Sequence, residues 1–219
     1  MTGSAADTDR TRGLAGDDPS VRLRVALALG TAPDPRDVDP LVARCAVEPD
    51  FAVREMLTWA LTRHPAAVTV PRLVAALGTP SAQARSQALH TLSKIGDSSA
   101  WPALTPALLT DADDEVARAA WRAAVVLVPH DAEAGLARIL ATQFGRGDRG
   151  TWLSLARALA ALGEVATPVL DAAASHPDPP VRAHAAATRQ LMRDPDAGFA
   201  FSVEEAKRVV ALGDVDRQG

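Results

Sequence analysis

Along most of this chain apolar residues return at offsets of four, seven and eight, with polar or small residues between them. In Asp50–His64 they are Val53, Leu57, Ala60 and Leu61. Such offsets place one apolar stripe along a helix that must pack against something else. Aligned on its first apolar position, the pattern recurs at Val21, Val53, Ala84, Val116, Thr151 and Val181, at intervals of 32, 31, 32, 35 and 30 residues. Three residues before each anchor stand Asp18, Asp50, Ser81, Asp113, Asp148 and Asp178. Each can accept a hydrogen bond from a free N–H of the first helical turn. Four residues after each anchor comes Val25, Leu57, Ala88, Ala120, Leu155 or Ala185, all apolar. The pattern predicts six such helices.

A second ladder runs between them. Pro40, Pro71, Pro102 and Pro168, with Gly135 in the remaining copy, precede short apolar runs and are spaced by 31, 31, 33 and 33 residues. Proline fits the first turn of a helix, where its missing N–H has no partner to lose. Five first helices are therefore predicted, with Pro106 marking a late start or a kink. Gly30, Gly96 and Gly163 fit left-handed C-caps of second helices, and Pro65 and Pro129 stop two others. No helix pair can bury its stripe alone; stacking on its neighbours does so. The expected fold is all-α: a right-handed α-solenoid, or superhelix, of about six helical hairpins over residues 17–192.

Residues 1–16, rich in Thr, Ala, Gly and Asp, read as a flexible tail with room for a short helix near Thr11–Ala15. Residues 193–219 contain one more amphipathic helix at Ser202–Leu212, where Ser202 and Glu205 fit a capping box. Its position suggests a cap on the last repeat. The alternative is a partner-binding helix anchored by Phe199 and Phe201.

Composition narrows the function only a little. Apolar residues make up 47% and aromatics 4%, and the net charge of −4 argues against a wholly basic nucleic-acid binder. Lys occurs only at Lys94 and Lys207, so the basic residues are nearly all Arg. The single Cys45 excludes an internal disulfide and a thiolate zinc cluster, and reads as a buried helix residue. With no apolar signal region and no membrane-length apolar run, a soluble cytoplasmic protein is expected. The five His form no His-Glu-x-x-His helix, and His176 and His184 lie at opposite ends of a turn-helix segment. Gly145–Gly150 reads as an interhelical turn rather than a phosphate loop. No cofactor or metal is expected.

Asp18-Pro-Ser-Val-Arg22, Asp50-Phe-Ala-Val-Arg54 and Asp178-Pro-Pro-Val-Arg182 resemble HEAT repeats, as does Ile95-Gly-Asp-Ser-Ser-Ala-Trp-Pro-Ala-Leu104. Length and phrasing look most like the short HEAT-like repeats first named for phycobiliprotein lyases. The resemblance covers about Asp18–Met192. It implies a binding scaffold and a ladder of Asp and Arg between adjacent repeats. The Arg is present at Arg22, Arg54, Arg85 and Arg182, whereas Ala117 and Trp152 replace it in copies four and five. A local change in stacking is expected there, beside the longest interval and the Gly145–Gly150 loop.

The resemblance also implies that second helices line a concave surface. Positions two, five, six and nine after each anchor then point toward that surface or its edge. The sixth positions are Leu27, Trp59, His90, Arg122, Arg157 and Ala187. Trp and Arg are suited to recognition, one as a flat contact and the other as a grip on carboxylate or phosphate. The candidate partner-binding residues are Glu55, Trp59, Thr62, His90, Arg118, Trp121, Arg122 and Arg157. The expected function is a non-enzymatic HEAT-like scaffold or adaptor that takes an acidic or amphipathic protein or peptide segment. One alternative is a nucleic-acid-binding protein like the HEAT-like alkylpurine DNA glycosylases, which use concave aromatic, Arg and acidic residues. The acidic Asp111, Asp113, Asp114 and Glu115 disfavour it. A regulatory module of a transcription or stress system is a further alternative. Lyase activity, implied only by the family label, has no local support in the residues.

Overall fold

A computed structural model describes residues 10–195 together with Val203, Glu204 and Lys207. Among them the helices are α1 (Pro19–Thr31), α2 (Val38–Cys45), α3 (Phe51–Arg63), α4 (Ala66–Ala76), α5 (Ala82–Ile95), α6 (Pro106–Leu109), α7 (Asp114–Leu127), α8 (Glu133–Ala141), α9 (Arg149–Ala161), α10 (Thr167–Ala174) and α11 (Pro179–Arg193). The odd-numbered helices are the second helices of the ladder and the even-numbered ones the first helices. The fold class is all-α, built of helical hairpins.

The caps lie where the sequence places them. Asp18 accepts from the Ser20 N–H, Asp50 from Val53, Ser81 from Ala84 and Asp148 from Thr151. Asp178 holds the same position without a side-chain bond. Gly96 ends α5 in the left-handed conformation, at φ 71°.

The chain forms two compact units. The first joins the residues up to Thr105 with Glu115–Leu127, and the second joins Pro106–Asp114 with the chain from Val128 on. In the first unit α1, α3 and α5 pack in series as one layer, and α2 and α4 form the other. Leu41, Leu57, Leu61, Leu73 and Leu92 are buried between the layers, each contributing about 1.5–3 kcal/mol through removal from water. In the second unit α9 packs on α11, and α8 and α10 lie against them over Leu136, Leu140, Leu155, Leu159 and Leu170.

Several expectations change. Gly30 is not a left-handed cap but lies inside α1, where the Trp59 ring crosses it. A Cβ there would come within 2.4 Å of Trp59 Cζ3, so glycine is required for this close approach. Pro71 stands in the interior of α4 rather than its first turn, because that helix already begins at Ala66. Pro106 begins the short α6, the late start that its position suggested. Arg12–Ala15 form a 3-10 turn that packs on α1 and α2 with Leu14 buried, and Arg10 pairs with Asp37 at 3.0 Å. Residues 10–16 are therefore part of the first unit, not a tail. Residues 1–9 lie outside the described residues.

The predicted Ser202–Leu212 helix also lies outside them, except for three positions; Phe199 and Phe201 lie outside as well. Val203, 2% exposed, packs with Trp152, Ala156, Ala183 and Ala187. Glu204 sits 3.2 Å from Arg149. No single helix among the described residues is long and apolar enough to cross a membrane.

Candidate functional site

One face of the first unit holds most of the predicted residues. Trp59 on α3 is 38% exposed and rests on Gly30 of α1, while Leu27, one turn before Gly30, is 43% exposed. Val126 on α7, one turn beyond Arg122, is also open to solvent. Thr62 is half-buried and donates to the Trp59 carbonyl at 2.7 Å, so its hydroxyl is taken up within α3.

Charge lies beside these apolar groups. His90 Nε2 on α5 is 3.3 Å from Glu55 Oε1 on α3. Burial pushes the His90 pKa down, the Glu55 carboxylate opposes this, and Arg122 and Lys94 reinforce it. Arg118 pairs with Glu115 at 2.9 Å on the same helix, α7. Arg122 is exposed in area, yet surrounding protein and the neighbouring Arg118 lower its pKa, which still leaves it cationic. Among the described residues Arg122 has no ion pair, so its guanidinium keeps its donors for something else.

Two predicted residues do not join this face. Trp121 is wholly buried, at 0% exposed, and belongs to the core. Its position, five after the anchor, is buried in the first five copies, at Ala26, Thr58, Leu89, Trp121 and Ala156, and opens only at Ala186 of the last. A second helix packs on neighbours on both flanks as well as on the first-helix layer, which leaves only a narrow open stripe. At Thr58 this burial is matched by hydrogen bonding, since Gln87 Nε2 donates to Thr58 Oγ1 at 2.9 Å. Arg157 belongs to the second unit. There it is exposed at a crevice of about 550 Å³ lined also by Ala160, Glu164, Leu191 and Met192. The sequence reading also missed Lys94, which lies one turn beyond His90 on α5 and bears on its charge. Its spacing from His90 was the available signal.

Residues 46–124 match the family model of HEAT repeats. This stretch consists of HEAT repeats. No curated protein matches the chain in sequence. Among solved structures, the complex of CpcE and CpcF of phycocyanin lyase from Nostoc sp. PCC7120 aligns over 93% of this chain and 94% of its own, at 18% identity and a TM-score of 0.41. Human deoxyhypusine hydroxylase in complex with glycerol aligns over 94% of each chain, at 18% identity and a TM-score of 0.45.

The recurrent Arg of the helical hairpins has a defined job. Arg54 Nη1 donates to the carbonyls of Glu48 and Pro49, six and five residues earlier. Arg85 does the same to Thr79 and Pro80, Arg22 to Gly16 and Asp17, and Arg182 to His176 and Pro177. These bonds close the turn of the same hairpin, so the ladder implied by the resemblance gives way here to local turn closure. Arg22 adds a link between repeats through a bidentate pair with the buried Glu48, at 2.7 and 2.8 Å. Burial by itself would raise the Glu48 pKa, but hydrogen bonds from Arg22 and Arg44 hold it at about 2. The same carboxylate raises the already buried Cys45 thiol, which burial pushes up to about 12 and leaves unreactive.

The two copies that lack the Arg solve the turn differently. In copy four the carbonyls six and five residues before Ala117 are those of Asp111 and Ala112. Arg146, from the Gly145–Gly150 loop, donates to both at 2.5 and 3.2 Å and to Asp114 Oδ1 through Nε at 2.9 Å. A guanidinium from the next hairpin thus closes this turn. Arg146→Ala should lower stability by about 1–3 kcal/mol, the usual cost of losing charge-assisted hydrogen bonds. Urea titration checks it, and a change within error of zero would show the turn closing without Arg146.

In copy five Trp152 replaces the Arg. Its ring stacks on His184 of α11 at 4.4 Å and 3°, and Phe144 meets His184 edge-on at 5.1 Å. His184 is 0% exposed. Its Nε2 donates to the Trp152 carbonyl at 2.9 Å, and its Nδ1 accepts from the Gly145 N–H at 3.2 Å. A carbonyl only accepts and an amide only donates, so these partners select the neutral Nε2–H tautomer. Burial pushes the His184 pKa down to about 4. The ring is a structural element of the second unit; a metal pair with His176 finds no support, because both ring nitrogens are already bonded to backbone.

Proposed function

We propose that the chain is a non-enzymatic HEAT-repeat scaffold whose first unit takes an acidic, amphipathic segment of a protein partner on the Leu27/Trp59/His90/Arg122 face. The observation that carries this reading is the pairing of a half-exposed Trp59 on its glycine shelf with an unpaired Arg122 nearby on the same unit. An apolar ridge along such a segment suits Leu27, Trp59 and Val126, and its carboxylates suit Arg122. Aromatic and Arg anchors of this kind dominate the energy of protein interfaces. Glu55 and Glu115 sit on the same face and set a limit on how acidic the segment can be before repulsion appears.

A labelled synthetic amphipathic helix of Leu and Glu, titrated against the full chain by fluorescence anisotropy, tests the reading. Trp59→Ala is expected to weaken binding by about thirtyfold and Arg122→Ala by about tenfold, the range of interface anchors. Arg122→Ala should leave the melting temperature within about 3 °C, as expected of a surface position. Trp59→Ala also gives up its packing on Gly30 and should lower it while leaving the helical circular-dichroism signal intact. Equal affinity in the wild type and both variants would place the binding elsewhere.

A further inference from the structure

His90 occupies the middle of this face and is the group on it that changes charge near neutral pH. The charged groups facing it come from three places. Glu55 reaches it from α3 at 3.3 Å, Arg122 acts on it from α7, and Lys94 stands one turn along α5 itself. From α2 and α4, on the other side of α5, no charged group among the described residues bears on it. The ring is only partly exposed, with two cations and one carboxylate around it. In the free chain that balance, together with burial, favours the neutral ring.

An acidic segment laid on Arg122 changes the balance. Its carboxylates bring further negative charge close to His90 and neutralise Arg122 beyond what Glu55 and Glu115 already do. Both changes favour the imidazolium. We propose that capture of an acidic segment on this face is coupled to uptake of a proton by His90, which then binds Glu55 as a cation and strengthens the site as pH falls. This rests on the reading of the face as an acceptor for such a segment. The structure of the site supplies the switch. Neutral His90 leaves Glu55 only partly offset, by Arg122, beside the incoming carboxylates, whereas protonated His90 adds a cation at 3.3 Å from it.

The sign follows from linkage. If the bound complex holds the proton more tightly than the free chain, affinity rises as pH falls through the bound pKa and levels off below the free one. A shift of about one pH unit in His90 corresponds to about a tenfold gain in affinity. The full chain and the synthetic Leu/Glu helix serve as the experiment, with the His90 ring resonance followed by NMR between pH 8 and 5.5 in the presence and absence of the helix. Assignment comes from His90→Gln. Calorimetry at pH 6.5 in two buffers of different ionisation heat counts the protons.

The expected result is a His90 pKa about one unit higher in the complex, net proton uptake by the wild type, and an uptake abolished in His90→Gln. Glu55→Gln should lower the His90 pKa and move the window to more acid pH. A wild-type complex that forms with an unchanged His90 pKa and no proton uptake overturns the coupling while leaving the face as a binding site. Equal uptake in His90→Gln overturns it too, by assigning the proton to another group. The absence of any binding isotherm across the pH range overturns the reading of the face itself, and the coupling with it.

Discussion

Trp121→Ala is expected to destabilise the first unit by about 3–5 kcal/mol, the range for truncating a wholly buried Trp. Arg122→Ala, one residue on, should change stability by no more than about 0.5 kcal/mol, as an exposed side chain without an ion pair. The two side chains leave the same turn of α7 in different directions. Trp121 is fully enclosed, whereas Arg122 is open to solvent. Removing the wholly enclosed indole leaves a cavity in a close-packed interior that relaxes only partly. Urea unfolding followed by far-UV circular dichroism, with the midpoint and slope fitted separately, measures both variants. A Trp121→Ala protein of wild-type stability that no longer bound the Leu/Glu helix would return Trp121 to the recognition face.

The second large effect is a loss of stability on acidification, centred on His184. An unfolded histidine titrates near 6.5, whereas the folded ring is held down to about 4. Between these values the unfolded chain carries the proton and the native chain does not. The contribution is therefore present above about pH 6.5 and falls as pH drops through the window. By pH 4 about 3 kcal/mol is lost, at about 1.4 kcal/mol for each unit of pKa difference. Protonation also removes the lone pair that accepts the Gly145 N–H, so the loop that carries Arg146 loses one of its attachments. His90 has a lowered pKa as well and adds to the slope with the same sign. Glu48, held at about 2, keeps its full contribution above the ordinary carboxylate range and loses it only as pH falls from there toward 2, outside this window.

Stability measured by urea titration at steps between pH 7.5 and 5 should fall steeply in the wild type. In His184→Gln the slope should be much flatter, whatever the variant's stability at neutral pH. An unchanged slope would mean that His184 titrates alike in both states. The pH range matters here, because above pH 5 ordinary carboxylates are mostly ionised, while the buried Asp37, whose pKa burial raises, works against the histidine slope.

Much of the fold was legible from local chemistry. The caps at Asp18, Asp50, Ser81 and Asp148, the stop at Pro65 and the left-handed Gly96 all act within a few residues of themselves, so they can be read one at a time. The candidate face was legible in part. The row six after each anchor is open at Leu27, Trp59 and Arg122, half-buried at His90 and closed at Ala187. The row five after each anchor was read as part of the same surface and is core in every copy but the last, where Ala186 is exposed. A helical wheel gives directions around one helix, but it does not say how many sides its neighbours cover.

By itself the sequence determined the hairpins: their number, their order and most of the polar groups that cap the second helices. These follow from the period of the apolar stripe and from backbone groups that must be satisfied nearby. Only the tertiary structure decided what stands beside what. It put Trp59 over Gly30, Arg146 on the turn that Ala117 leaves open, and Trp152 flat against a neutral His184. Each of these contacts joins residues about thirty positions apart, and its energy depends on packing and burial that exist only once neighbouring repeats have closed on one another.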